Sequence, residues 1–170
     1  MNLKDTIRSV PDFPKKGILF RDITTLVKNP EALQCLIDTF VTELKDRKID
    51  LVVGPEARGF VLGSALAYAL GAGFVLARKP GKLPCETLRY EYALEYGTDA
   101  LEIDAEAIRP GMRIAIVDAL LATGGTALAT AKLVEQAGGS VEAIRFAMEL
   151  TDLPGRETLA GYDVDAVIKY

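Results

Sequence analysis

One pattern, written twice, constrains the fold of this chain more than any other feature. In its first copy the run Ile49-Asp50-Leu51-Val52-Val53-Gly54 is followed by a helical pattern from Gly59 to Leu70, a stop at Gly71, and the run Gly73-Phe74-Val75-Leu76-Ala77. In its second copy Arg113-Ile114-Ala115-Ile116-Val117-Asp118 precedes a helical pattern from Thr126 to Ala137, a stop at Gly138-Gly139, and the run Val141 to Leu150. Short apolar runs bounded by glycine read as buried strands, and a strand, helix, strand order needs a crossover that leaves its strands parallel. Asp165 to Ile168 predicts a last short strand. Pro30 to Lys48, with Leu33, Leu36, Ile37, Phe40, Val41 and Leu44 at helical spacing, predicts an amphipathic helix. The expected class is α/β, a mostly parallel central sheet with helices on both faces, which binds ligands beyond the carboxyl ends of its strands.

A length of 170 residues fits one domain, 1–170, able to bury a core without metals or disulfides. Acids outnumber bases 24 to 20, which argues against general phosphate neutralisation and hence against nucleic acid as a partner. No apolar run is long enough to span a bilayer, so no membrane role is expected. Cys35 and Cys85 have no paired spacing and no leader-like start is visible, so a reducing cytoplasm is expected. The chain has no histidine, which removes serine–histidine and cysteine–histidine nucleophiles and every histidine metal site. Catalysis is left to carboxylates, lysine, arginine, tyrosine, backbone amides or a hydrated metal.

The second copy of the pattern contains VDALLATGGT, residues 117–126. In Ala122-Thr123-Gly124-Gly125-Thr126 the glycines let amides turn inward, the threonines bring hydroxyls, and the following helix points its amino end at the same place. That is an anion cradle, or else an ordinary strand-to-helix turn with a threonine cap. Asp118 precedes it, an acceptor for hydroxyl groups or an outer ligand for a hydrated Mg²⁺. A second cluster, Ala77-Arg78-Lys79-Pro80-Gly81-Lys82, places cations at the end of one expected strand, and Arg58 lies beyond the end of the strand before it. Either these are solvated charges, or they and the cradle hold a ligand with two phosphate-bearing ends. Gly54 to Gly59 has P-loop spacing, but Phe60 and Val61 stand where that loop needs Lys and Ser or Thr. Residues 80–103 contain Leu88-Arg89-Tyr90-Glu91-Tyr92-Ala93-Leu94-Glu95-Tyr96 before Gly97, an alternation that predicts a hairpin with a flexible tip.

VDALLATGGT resembles the phosphoribosyl pyrophosphate motif of type I phosphoribosyltransferases. DFPKKGILFRDIT, GPEARGF, RKPGKLP and LEYG, in that order, extend the resemblance over nearly the whole chain to the adenine phosphoribosyltransferases. The resemblance implies the type I fold with a small amino-terminal hood (1–30) and a flexible hairpin. It also implies a Mg²⁺-dependent reaction in which adenine displaces pyrophosphate from phosphoribosyl pyrophosphate to give AMP, and a homodimer. It places the ribose-side phosphate on Ala122, Thr123, Gly124, Gly125 and Thr126, and the ribose hydroxyls on Asp118. Pyrophosphate falls to Arg58, Arg78, Lys79 and Lys82, with Arg58 also catalytic. Adenine falls to Leu19, Phe20, Arg21 and Leu120. Glu95 becomes the proton-exchanging catalytic acid beside Tyr96 of the flexible loop, and Mg²⁺ is carried by substrate and water, with Asp118 a further ligand. The family has two adjacent acids where this chain has Asp118 and Ala119, so one ribose ligand is expected to be missing and activity weakened. Another purine base as substrate, or a non-catalytic phosphoribosyl pyrophosphate-binding regulator, stays open at this point.

Overall fold

The computed structural model describes residues 1–94 and 96–170. The amino-terminal region forms a small antiparallel ribbon, β1 (Arg8–Pro11) and β2 (Leu19–Asp22), followed by the single turn α1 (Thr24–Val27) and the helix α2 (Pro30–Leu44). Asn29 opens α2, its Oδ1 accepting from the N–H groups of Glu31 and Ala32 at 3.1 and 3.2 Å, with Pro30 in the first turn. The sequence pattern carries this helix to Lys48. It ends at Leu44 because Lys45-Asp46-Arg47-Lys48 offers the core no apolar side chain.

β3 (Leu51–Pro55), α3 (Arg58–Leu70) and β4 (Gly73–Ala77) make the first crossover, and Gly71 closes α3 in the left-handed conformation. An antiparallel hairpin follows, β5 (Thr87–Ala93) and β6 (Thr98–Asp104). β7 (Arg113–Leu121), α4 (Gly125–Gln136) and β8 (Ser140–Glu149) form the second crossover; the short turn α5 (Gly155–Thr158) and β9 (Val164–Lys169) complete the chain. The five-stranded sheet runs β4-β3-β7-β8-β9 with every neighbouring pair parallel.

β3 sends its crossover outward to β4 and β7 sends its own the opposite way to β8. Right-handed crossovers running in opposite directions put their helices on opposite faces. The packing agrees: Leu62 and Leu66 of α3 join Leu36 and Phe40 of α2, with Ala115 and Val117 of β7, in one apolar layer. Leu133 and Val134 of α4 join Ile114 and Ile116 of β7 in the other. The second layer also takes in Leu101 and Ile103 of β6, and Arg78 bridges to Glu102, so the hairpin's base belongs to the core while Tyr96 near its tip is 88% exposed. The adjacent strands β3 and β7 are therefore the topological switch point, where an open α/β sheet leaves a crevice at its carboxyl edge. Among the described residues, no helix is long and apolar enough to cross a membrane.

Candidate active site

The sequence pattern ends the seventh strand at Asp118, but β7 runs on to Leu121. Its pairing with β8 continues through Leu120 opposite Met148 and Leu121 opposite Glu149, and Leu121 is buried in the α4-side layer. The turn into α4 is therefore only Ala122-Thr123-Gly124. Gly124 has φ +88°, and a Cβ there would come within 3.0 Å of the Gly155 carbonyl oxygen, so only glycine fits. No side chain caps α4. Among the described residues, the main-chain N–H groups of Thr123 to Ala127 and the hydroxyls of Thr123 and Thr126 donate to no protein group. They surround a cavity of about 190 Å³, whose wall also includes Glu56, Arg58, Asp118, Leu120 and Phe146. Unpaired amides at the start of a helix, plus two free hydroxyls, favour an anion.

Asp118 stands in this wall with Oδ1 accepting from the Ala119 N–H at 2.7 Å. Gly59 lets the first turn of α3 approach it: a Cβ at Gly59 would lie 3.3 Å from Asp118 Oδ1 and 2.8 Å from Pro55 Cδ. Burial raises the carboxyl's pKa from 3.8 to about 6, against the opposing pull of the Ala119 hydrogen bond and the Arg58 charge. Ala119, where the family has its second acid, is placed differently from Asp118. It is 1% exposed, belongs to the apolar layer with Val117 and Leu62, and is not among the residues lining the cavity.

Of the four expected pyrophosphate cations, Arg58 is the one in the cavity wall. Arg78 and Lys79 follow β4 and reach the wall indirectly: Glu56 accepts from Arg78 Nε at 3.2 Å and from the Lys79 N–H at 2.8 Å. The Lys79 ammonium is paired with Asp99, and Lys82 is exposed on the turn beyond. Glu56 and Asp99 are partners of the expected pyrophosphate cations that sequence reasoning missed. Glu56 lay in view inside GPEARGF; Asp99 is 20 residues from Lys79 and only the hairpin's packing brings them together.

A second cavity, about 700 Å³ and mostly apolar, lies under the hood between Val10, Pro11, Phe13, Phe20, Asp22 and Arg58. Arg58 is thus the shared wall of both cavities, its guanidinium 5.6 Å from the Phe20 ring centre. The ribbon is held by Asp22, which accepts from Arg8 Nη2 at 2.5 Å and from the Thr24 hydroxyl and N–H at 2.6 and 2.9 Å. The Thr24 and Arg8 hydrogen bonds lower its pKa to about 2. Among the described residues β2 pairs only with β1, and Pro11, opposite Leu19, has no N–H to give. Doubly bonded pairs therefore fall at Phe20 and Asp22, and the main-chain groups of Leu19 and Arg21 face the ribbon's free edge. The Arg21 guanidinium lies 3.9 Å from the Tyr170 ring centre. Leu120 lines the phosphate-loop cavity, not the hood cavity. Glu95 lies outside the described residues.

Among the described residues, no three acidic or cysteine side chains gather to hold a metal. Asp118 is the motif carboxylate on the cavity wall, an oxygen donor of the kind a hydrated Mg²⁺ takes.

The phosphoribosyl transferase domain family matches residues 22–165. The chain is 61% identical to the adenine phosphoribosyltransferase of Clostridium perfringens (strain SM101 / Type A), over 100% of this chain and 99% of that one. It is similar to the crystal structure of adenine phosphoribosyltransferase from Thermoanaerobacter pseudethanolicus, with 57% identity, a TM-score of 0.95 and coverage of 99% of this chain and 98% of that one. The Saccharomyces cerevisiae adenine phosphoribosyltransferase, solved with an imino-altritol bisphosphate and adenine, gives 44% identity, a TM-score of 0.92 and coverage of 96% and 95%. An open amide cradle at the switch point, a buried acid beside it and this full-length likeness converge: the chain belongs to the phosphoribosyltransferase family, in its adenine phosphoribosyltransferase branch.

Proposed function

We propose that the chain transfers the phosphoribosyl group of phosphoribosyl pyrophosphate to adenine, forming AMP and pyrophosphate. The observation that carries the reading is the open amide cradle at Thr123 to Ala127, sharing its cavity with Asp118 and, through Arg58, adjoining an apolar slot under the hood. The cradle takes the 5′-phosphate, whose two charges meet aligned N–H dipoles. Asp118, once ionised, accepts from the ribose hydroxyls. The planar base lies against Phe20 in the hood cavity, its polar edge meeting the outward main-chain groups of Leu19 and Arg21, and Leu120 meets it from the phosphate-loop side.

A ring nitrogen of adenine forms the new bond to the anomeric carbon as the bond to the diphosphate breaks, with the electron pair leaving on the diphosphate; the proton the base loses passes to Glu95, the acid assigned that exchange by the resemblance. The sugar becomes cationic as negative charge grows on the leaving group. Arg58, in the cavity wall, offsets that growing charge, and Arg78, Lys79 and Lys82 are assigned the same role in this reading. A bound Mg²⁺ would neutralise part of the same charge. The apolar walls of the hood cavity exclude water from the activated sugar.

A homodimer belongs to the same proposal, and Val61 and Tyr68 of α3 with Leu76 of the edge strand β4 supply exposed apolar side chains for it; sedimentation analysis tests it. The cytoplasm is the proposed location, where Cys35 and Cys85 stay unpaired thiols. The decisive experiment incubates purified protein with labelled adenine, phosphoribosyl pyrophosphate and Mg²⁺. AMP should form, and chelating the metal should stop it. Turnover of hypoxanthine or guanine with none of adenine would overturn the base assignment, and absence of turnover alongside tight phosphoribosyl pyrophosphate binding would favour a regulator.

A further inference from the structure

The cations at the carboxyl end of β4 meet built-in carboxylates. Glu56 holds Arg78 and the Lys79 main chain, Arg78 exchanges main-chain hydrogen bonds with Glu102, and Gly81 donates its N–H to Glu102 Oε1 at 3.0 Å. The backbone of 78–81 is thereby pinned between β3 and β6, and the Lys79 side chain is the part left to swing. It ends on Asp99 of β6. Asp99 is itself fixed: Oδ1 accepts from the Ala100 N–H at 2.8 Å and Oδ2 from the Tyr92 hydroxyl at 3.4 Å. Tyr92, directly opposite on β5, lays its ring 3.7 Å from where a Cβ on Gly125 of the phosphate loop would stand.

We propose that Asp99 is a positioning residue that substitutes for the diphosphate. It holds the Lys79 ammonium when the anion is absent, yields it when the anion arrives, and takes it back as pyrophosphate leaves. The inference rests on the reading of Lys79 as a pyrophosphate ligand. Exchange is easy because the Lys79 and Asp99 side chains are 41% and 28% exposed, and an ion pair this wet contributes a factor of about five at most, the equivalent of about 1 kcal/mol. A diphosphate carries several charges and outcompetes a single carboxylate. Asp99 does not follow the lysine, because Ala100 and Tyr92 keep it on the hairpin. It is therefore a competitor for the cation, one that weakens pyrophosphate binding and speeds its release.

Isothermal titration with inorganic pyrophosphate and Mg²⁺ tests this in the full chain carrying Asp99→Asn, Lys79→Met, or both. Asp99→Ser serves as a second variant that keeps an acceptor for the Ala100 N–H. The Asp99 variants should bind pyrophosphate about three- to fivefold more tightly, bind inorganic phosphate as the unsubstituted protein does, and show stronger product inhibition. Lys79→Met should weaken pyrophosphate and erase the gain from Asp99→Asn. Unchanged or weaker binding in both Asp99 variants overturns the proposal, as does a gain that persists beside Lys79→Met, which marks a general field effect. If Lys79→Met alone leaves pyrophosphate affinity unchanged, the reading of Lys79 fails first and takes the proposal with it.

Discussion

At residue 118, burial and binding pull in opposite directions. The folded-state pKa of Asp118, about 6, lies above its ordinary 3.8, so between those values the folded chain holds more proton than the unfolded one. The stability this contributes is complete below about pH 4 and is lost as pH rises through 6, at most about 3 kcal/mol. Asp118→Asn should flatten that slope and raise the Tm at pH 7, read by thermal unfolding from pH 4.5 to 7.5. The same variant should weaken phosphoribosyl pyrophosphate by roughly 10- to 150-fold, the cost of a hydrogen bond to a charged group. Ala119 behaves differently despite its place in the motif. Ala119→Asp should give no gain in kcat/KM and should lower stability by about 1–3 kcal/mol, because the new carboxyl enters an apolar layer; a rise in kcat/KM would return residue 119 to the sugar site.

Among the elements, the hood depends most on contacts far away in the sequence. The ribbon of β1 and β2 is two strands with little apolar cover, a form marginal on its own. Asp22 ties it to α1, and Arg21 stacks on Tyr170, which also carries Lys4 4.5 Å from its ring centre. Tyr170→Ala should therefore loosen the edge proposed for the base. The expected result is a rise of about three- to tenfold in KM for adenine, from loss of a cation–π contact and its ordering, with KM for phosphoribosyl pyrophosphate within about twofold. Equal changes in both constants would mean that the stack supports the whole fold rather than the hood. The hairpin shows a related division: Leu101 and Ile103 anchor its base in the core, and its tip carries the exposed Tyr96. Alternation in the sequence announces both strands and is silent about which end is packed.

Across the whole molecule, Arg145 on β8 joins three separate segments. Its Nε meets Glu43 of α2 at 2.5 Å, and Nη1 donates to the Asp163 carbonyl at 2.9 Å just ahead of β9. Desolvation disfavours its charge, and hydrogen bonds and ion pairing with Glu43 and Asp163 together outweigh that and raise its pKa. Arg145→Met should cost about 2 kcal/mol and roughly 4–8 °C in Tm while both KM values stay within about twofold, since Glu43 and Asp163 are left exposed enough to hydrate. A larger kinetic than thermal effect would place Arg145 in the route to the site.

How much of this was legible follows from the range of each interaction. Local punctuation sufficed for the α/β alternation: glycine stops after Leu70 and Ala137, apolar runs for β3, β4, β7 and β8, and the Thr-Gly-Gly-Thr turn all act within a few residues. That pattern also placed the Thr-Gly-Gly-Thr turn at a strand's carboxyl end, where the open amides are found. The sequence was silent wherever partners meet across the sheet. It carried no sign that β7 would pair with β8 as far as Leu121, which put Asp118 inside a strand, or that Ala119 would pack in the α3-side layer. It did not show that Arg58 would divide two cavities, or that Asp99 would cross the hairpin to hold Lys79. Local backbone preference is written residue by residue, whereas burial and charge pairing exist only once distant segments share a volume, so tertiary packing alone decided them.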